Sequence, residues 1–163
     1  MAKYYKIITE RSRFAHEYNI ADVQHIPSGS QFVAKETEHD EYSLSLSGAF
    51  LHFADNEFDT MLWHDMIGWD EGEQGVLAQK GQIYEIKPLG PVIKERCEDY
   101  IRTFQCGAEA IEIVGPVNKA ELFRAAIRAF EQDPMAKRRM YPELDIEETV
   151  SAWSRQERST QVF

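Results

Sequence analysis

The groups in this chain best able to do chemistry are scattered. They are His52 inside the apolar run GAFLHFAD (48–55), Glu95 in the charged stretch ERCED (95–99), the arginines Arg11, Arg13, Arg96 and Arg102, and the rings of Tyr5, Phe53, Trp63 and Tyr84. An imidazole and a carboxylate held together can share proton transfer, guanidinium forks match the paired oxygens of a pyrophosphate, and aromatic faces can wall in a flat ring. Each group also has a plainer reading. A histidine between apolar neighbours can be a hydrogen-bonded core residue, carboxylates and arginines at strand ends and in loops usually face water, and Trp63 can simply pack a helix. Several familiar chemistries are absent from the sequence, which has no GxxxxGK[ST] or GxGxxG phosphate loop, no GxSxG elbow, no HExxH and no CxxC. His64 and Asp65 are adjacent and so point to different faces of a helix. The remaining histidines (His16, His25, His39, His52) have no ligand spacing, which argues against a metal site. Cys97 and Cys106 lie nine apart in one expected loop without a histidine neighbour, and read as free thiols of a reducing compartment.

The elements that must position these groups follow from periodicity. KYYKIIT (3–9) mixes aromatic and branched residues over a strand's length and is expected to be a central strand. Residues 14–29 read as loop with one helical turn, and Gln31 to Lys35 and Glu41 to Leu46 as short strands. Ala49 to Ala54 is a compact apolar strand, stopped by Asp55-Asn56. A helix is predicted from Glu57 to Ile67, capped by one of that pair, with Phe58, Leu62, Met66 and Trp69 on one stripe and Glu57 and Asp59 in the first turn. Gln82 to Lys87 alternates as a strand and ends at Pro88. Val92 to Gly107 reads as a charged connection with Tyr100 and Phe104 at helix spacing, and Ala110 to Val114 as a further strand. Asn118 with Glu121 three residues on marks a helix start; Leu122, Phe123, Ala126, Ile127 and Phe130 form its apolar stripe, and Pro134 ends it. A last helix, from about Pro142 to Arg155, buries Ile146, Val150 and Trp153 ahead of a frayed STQVF tail. This pattern gives an α+β class: one domain over residues 1–163, with a mixed strand core over 1–117 and two C-terminal helices over 118–155 packed on it.

Charge is unevenly placed. Between Lys35 and Gly75 stand eleven acidic residues against Lys35 alone, a net of −10 that equals the charge of the whole chain. Such a block repels a phosphate backbone, which excludes unselective nucleic-acid binding and leaves either a solvated face or a surface for a basic protein partner over 36–73. No apolar run approaches the roughly 18 residues of a membrane span, and the N-terminus lacks the order of a signal peptide, so a cytoplasmic protein is expected.

FLHFADNEFDTMLW, QIYEIKPLGPV and AIEIVGPV, spread over residues 48–117, resemble the strand, helix, strand and closing strand of the rifampin ADP-ribosyltransferase family; the most specific piece is Ile83 to Pro91. The N-terminal KYYKIIT also resembles small uncharacterised proteins of phages and large DNA viruses. The first resemblance implies two short sheets with NAD held in the cleft between them, and breakage of the bond between nicotinamide and ribose. It implies catalytic roles for His52, at the place of the family's aromatic, and for Glu95, a few residues after the Gly-Pro turn. The implied NAD contacts are Tyr5, Arg13, Phe53, Trp63 and Tyr84, and the implied class is a transferase of toxin, defence or counter-defence type. It requires Tyr84, His52 and Glu95 to approach one another. A catalytically inactive acidic interaction protein built on the same strands is the alternative.

Overall fold

The computed structural model describes residues 2–35, 50–67, 80–96 and 104–161. The elements run β1 (Tyr4–Thr9), α1 (Arg13–Glu17), β2 (Gln31–Val33), β3 (Leu51–Phe53), α2 (Glu57–Ile67), β4 (Gly81–Pro88), β5 (Ile93–Arg96), β6 (Phe104–Ala108), β7 (Ala110–Pro116), α3 (Lys119–Gln132), α4 (Pro134–Met140) and α5 (Ile146–Gln161). The strands form two antiparallel sheets, a four-stranded one in the order β1-β4-β7-β2 and a three-stranded one in the order β3-β6-β5. One mixed α/β domain with two antiparallel sheets and C-terminal helices results, the class expected from the periodicities.

Alternation along the strands decides which layer each residue joins. On the larger sheet Tyr5 and Ile83 face a helical core made by Phe58, Met61 and Leu62 of α2, Leu122, Phe123 and Ala126 of α3, and Tyr141, Ile146, Val150 and Trp153. Their neighbours Ile8, Tyr84 and Ile86, with Ile111 and Ile113, face the opposite way. They share a second core with Leu51, Phe53, Cys106 and Ala108 of the smaller sheet and with Phe14 and Ala15 of α1. The larger sheet is thus covered by helices on one face and by the smaller sheet and α1 on the other. Trp153 is fully buried, and removing its side chain should cost about 3–5 kcal/mol.

Local signals account for most boundaries. Asn56 caps α2, its Oδ1 accepting from the Asp59 amide at 2.8 Å, and Asn118 caps α3 by accepting from the Glu121 amide at 3.1 Å. Leu122, Phe123 and Ala126 are buried as expected, and Ile127 and Phe130 are partly so. Five expectations need correction. The first strand is terminal in its sheet and not central, because its outer edge turns toward the smaller sheet. Val92 to Gly107 is no connection with helical spacing: it contains β5 and β6, and Cys106 is a buried free thiol on β6. Pro134 does not merely stop α3 but opens α4, with Asp133 accepting from the Ala136 amide at 3.1 Å, so three helices and not two follow β7. The helix of the C-terminus continues through Gln161, so Ser159 to Gln161 are helical and not frayed. His64 and Asp65 do not diverge: the carboxylate of Asp65 meets His64 Nδ1 at 3.2 Å and accepts from Trp153 Nε1 at 2.8 Å. The strand expected over 41–46, Cys97, Tyr100 and Trp69 lie outside the described residues. Among the described residues no helix is long and apolar enough to cross a membrane.

Candidate functional site

Among the described residues the two sheets, packed face to face through their shared core, are joined by one backbone bridge. Tyr5 of β1 and Ala54, just after β3, exchange backbone hydrogen bonds in both directions at 2.9 Å, forming an isolated antiparallel bridge. Beyond it the strands part. Lys6 and Ile7 on one side and His52 and Phe53 on the other open a cavity of about 160 Å³, lined further by Thr60 and Trp63 of α2 and by Gln105 of β6. Strand alternation turns the backbone of Ile7, two residues after Tyr5, and of His52, two before Ala54, toward this opening. The walls are pinned: Trp63 Nε1 donates to the Phe104 carbonyl at 3.1 Å, Thr60 Oγ1 to the Asn56 carbonyl at 2.7 Å, and Lys6 Nζ to the His52 carbonyl at 2.6 Å.

The electrostatics of the site are set by burial. Lys6 keeps part of its side chain at the surface, but its ammonium is enclosed, 4.8 Å from the centre of the Phe14 ring. Enclosure lowers its pKa from 10.5 to about 8 despite the opposing attraction of Glu17. The Tyr5 hydroxyl donates to Glu57 Oε1 at 3.1 Å; burial, then Glu57 and Glu85, push its pKa well above the ordinary tyrosine range, so the phenol stays a donor. Tyr5 also borders a second, wider groove of about 570 Å³, lined by Glu57, Glu85, Lys3, Asn118 and Arg128 among others. Gly115, paired with Glu85 in the sheet, has nothing within 4 Å of the place a Cβ would occupy, which leaves the sheet surface open there.

Tyr5, His52, Phe53 and Trp63, far apart in sequence, therefore converge on one cavity, while the other three candidates do not join them. Tyr84 is a core residue: it is fully buried, and its hydroxyl donates to the Val23 carbonyl at 2.7 Å and accepts from the Ile26 amide at 2.9 Å. Arg13 lies on α1, half-exposed, and pairs with Glu17 at 2.9 Å. Glu95 stands opposite Gln105 in register on β5, on the same face as His52 but one strand beyond the cavity wall. The expected meeting of Tyr84, His52 and Glu95 is not found.

Lys6, Thr60, Gln105 and Glu57 were not singled out from the sequence. A lysine in a strand reads as solvent-facing, and only its place in alternation with the buried Tyr5 marks it as a residue of the opposite, covered face. Gln105 lay hidden in a stretch read as a connection. Below the cavity, the first turn of α2 carries a buried polar network. Asp59, 1% exposed, accepts from the Tyr141 hydroxyl and from Asn56 Nδ2 (2.7 Å), and burial raises its pKa to about 6 against the pull of Asn56 and Lys94. Lys94 binds Asp55 at 3.1 Å and titrates above its ordinary value, burial being outweighed by Asp55 and Asp59. Burial, then Asp55, pushes the Cys106 thiol up to about 12. Among the described residues no group of His, Cys, Asp and Glu could hold a metal ion. Comparison of the chain with protein-family models, with curated proteins and with solved structures returns no match.

Proposed function

We propose that the protein is a small NAD-dependent ADP-ribosyltransferase of toxin, defence or counter-defence type that binds NAD at the split between its sheets. One observation carries this: four residues picked out by the sequence resemblance, Tyr5, His52, Phe53 and Trp63, surround a single ring-sized cavity where the two sheets part. An apolar cavity of about 150 Å³ accepts benzene, so one of 160 Å³ suits a nicotinamide ring. The edge backbone of Ile7 and His52 offers polar partners for the ring carboxamide, and the groove beyond Tyr5 has room for the rest of the dinucleotide.

In the reaction the bond between the ring nitrogen and C1′ of the ribose breaks, the ring leaves with both electrons, and an acceptor atom adds to C1′ and gives up its proton. A carboxylate near C1′ stabilises the developing positive charge. Glu95 reaches toward the site only across β6, whereas Glu57, hydrogen-bonded to Tyr5, stands at the junction of cavity and groove. The ring of NAD is cationic and becomes neutral on leaving, so repulsion from Lys6 weakens as the bond breaks and works in the direction of cleavage.

Titration with NAD, NADH and ADP-ribose while following the thermal midpoint tests the binding step, since a ligand held only by the folded state raises the midpoint with concentration. If all three leave the midpoint unmoved, the transferase reading falls. If NAD stabilises, Glu95→Gln and Glu57→Gln identify the acid: the variant that keeps the midpoint shift and loses nicotinamide release has lost it. The alternative, an inactive acidic module on a basic partner, gains nothing from the described part of the acidic block. Asp55, Glu57, Asp59 and Asp65 all bond to other groups of the chain.

A further inference from the structure

The same cavity holds an amine whose chemistry extends beyond nicotinamide binding. Among the described lysines, Lys6 combines an enclosed ammonium with a place in the wall of an aromatic-lined cavity. We propose that this cavity is a covalent carbonyl-binding site, in which Lys6 Nζ forms an imine with a flat, ring-sized aldehyde or ketone seated against Phe53 and Trp63. The inference goes beyond the nicotinamide reading and stands whether or not NAD binds.

Geometry supplies the first requirement. The amine sits where the walls from β1 and β3 are tied together, its nitrogen 2.6 Å from the His52 carbonyl and 4.8 Å from the Phe14 ring centre, at one side of the opening that Gln105, Thr60 and Trp63 also line. A carbonyl compound filling the 160 Å³ space is held beside that nitrogen, which replaces a bimolecular encounter by a local one. The protonation state supplies the second. Among the described residues, Glu17 of α1 attracts the Lys6 proton but is itself paired with Arg13 at 2.9 Å, and His52 of β3 meets the amine through its uncharged carbonyl. On β4 its register partner is Tyr84, and the other cavity-lining residues from β6 and α2 are Gln105, Thr60 and Trp63, all uncharged at neutral pH. An amine titrating near 8 is neutral in about one copy in ten at pH 7, against roughly one in 3,000 for an ordinary lysine.

The step balances without any outside oxidant. The lone pair of Nζ adds to the carbonyl carbon, the carbonyl oxygen takes up protons and departs as water, and the nitrogen loses its two protons as the C=N bond forms. The lower basicity that frees the lone pair also weakens it as a nucleophile, so a net preference of about tenfold over surface lysines is expected.

The test is limited reductive trapping of the wild-type chain at pH 7 with pyridine-3-carbaldehyde and cyanoborohydride, followed by peptide mapping. The expected result is modification of Lys6 about tenfold faster than of exposed Lys87, absent in Lys6→Arg, which keeps the charge and the donor. Modification of Lys6 no faster than of Lys87 overturns the proposal. So does an aldehyde that raises the thermal midpoint yet leaves no adduct on Lys6, since it occupies the cavity without bonding. The wild-type map decides by itself, so a Lys6→Arg chain that fails to fold leaves the test intact. Midpoint titrations with NAD are read separately and neither support nor overturn the imine.

Discussion

Replacing Asp59 by Asn should reverse the order of stability between mutant and wild type as pH rises. Asp59 is 1% exposed and its carboxyl titrates at about 6 in the folded chain, against 3.8 when freely solvated, because burial disfavours its charge more than Asn56, Lys94 and Lys137 favour it. Each unit of pKa is about 1.4 kcal/mol, so the difference is worth about 3 kcal/mol. The sign follows from where the proton sits. Below pH 3.8 both folded and unfolded chains hold it and the folded state keeps its full stability. Between 3.8 and about 6 the unfolded chain releases it first, and stability drains away as pH rises. Above about 6 the folded state carries a buried carboxylate and the loss is complete. Asn never ionises, so it escapes this loss. It does forfeit one hydrogen bond, because a single amide oxygen must serve both the Tyr141 hydroxyl and Asn56 Nδ2, at about 1 kcal/mol independent of pH. Asp59→Asn should therefore be about 1 kcal/mol less stable than wild type near pH 3.5 and about 2 kcal/mol more stable near pH 7.5. Urea unfolding followed by circular dichroism, at half-unit steps of pH, measures the two curves. Parallel curves with a constant offset would refute the reasoning, and curves that cross in the opposite sense would show that Lys94 and Lys137 outweigh burial.

Three further outcomes bear on the assignments. Tyr84→Phe leaves the Val23 carbonyl and Ile26 amide without their buried partner and should destabilise the fold by about 2 kcal/mol while leaving any NAD-dependent midpoint shift unchanged; loss of that shift in a folded variant would return Tyr84 to the site. Cys106, with its thiol pushed up to about 12 and its side chain buried, should resist iodoacetamide at pH 8 in the native protein and react once urea unfolds it, and peptide mapping that finds it alkylated in the native state would contradict the packing around β6. Trp63→Phe removes the bond to the Phe104 carbonyl and should cost about 1 kcal/mol in urea unfolding, with a weakened NAD response because the cavity wall is no longer pinned; an unaltered response would place ring binding elsewhere.

What the sequence reveals about this fold depends on how locally each element is determined. The boundaries of α2 are legible because Asn56 stops the strand and caps the helix, and because Phe58 and Leu62 repeat on one face with acids in the first turn. β4 is legible from its alternation between Gly81 and Pro88. β5 is not, because an edge strand is solvated along one side and carries charges in place of alternation, so IKER looks like surface chain until its partner β6 is known. Pro134 misleads for a different reason: proline is as well suited to the first position of a helix as to the residue after one, and only Asp133 turning back to the Ala136 amide distinguishes the two.

The site divides along the same line. Tyr5, Phe53 and Trp63 are named through the family resemblance, and they meet because the bridge between Tyr5 and Ala54 fixes β1 against β3. Glu95 and Tyr84 are implied by their place along the chain in the resemblance, and no local rule says which face of its strand each occupies. The register puts Tyr84 beside Lys6 on the covered face of β4 and Glu95 beyond Gln105. A displacement of one residue in either strand would exchange the faces, bringing Ile83 and Lys94 in their place. The chemistry of the split is therefore a property of pairing between segments that are distant in sequence. Lys6 follows from this directly: its neighbour Tyr5 makes the bridge, so Lys6 must project on the opposite face, where Phe14 and the His52 carbonyl enclose its amine and lower its affinity for a proton.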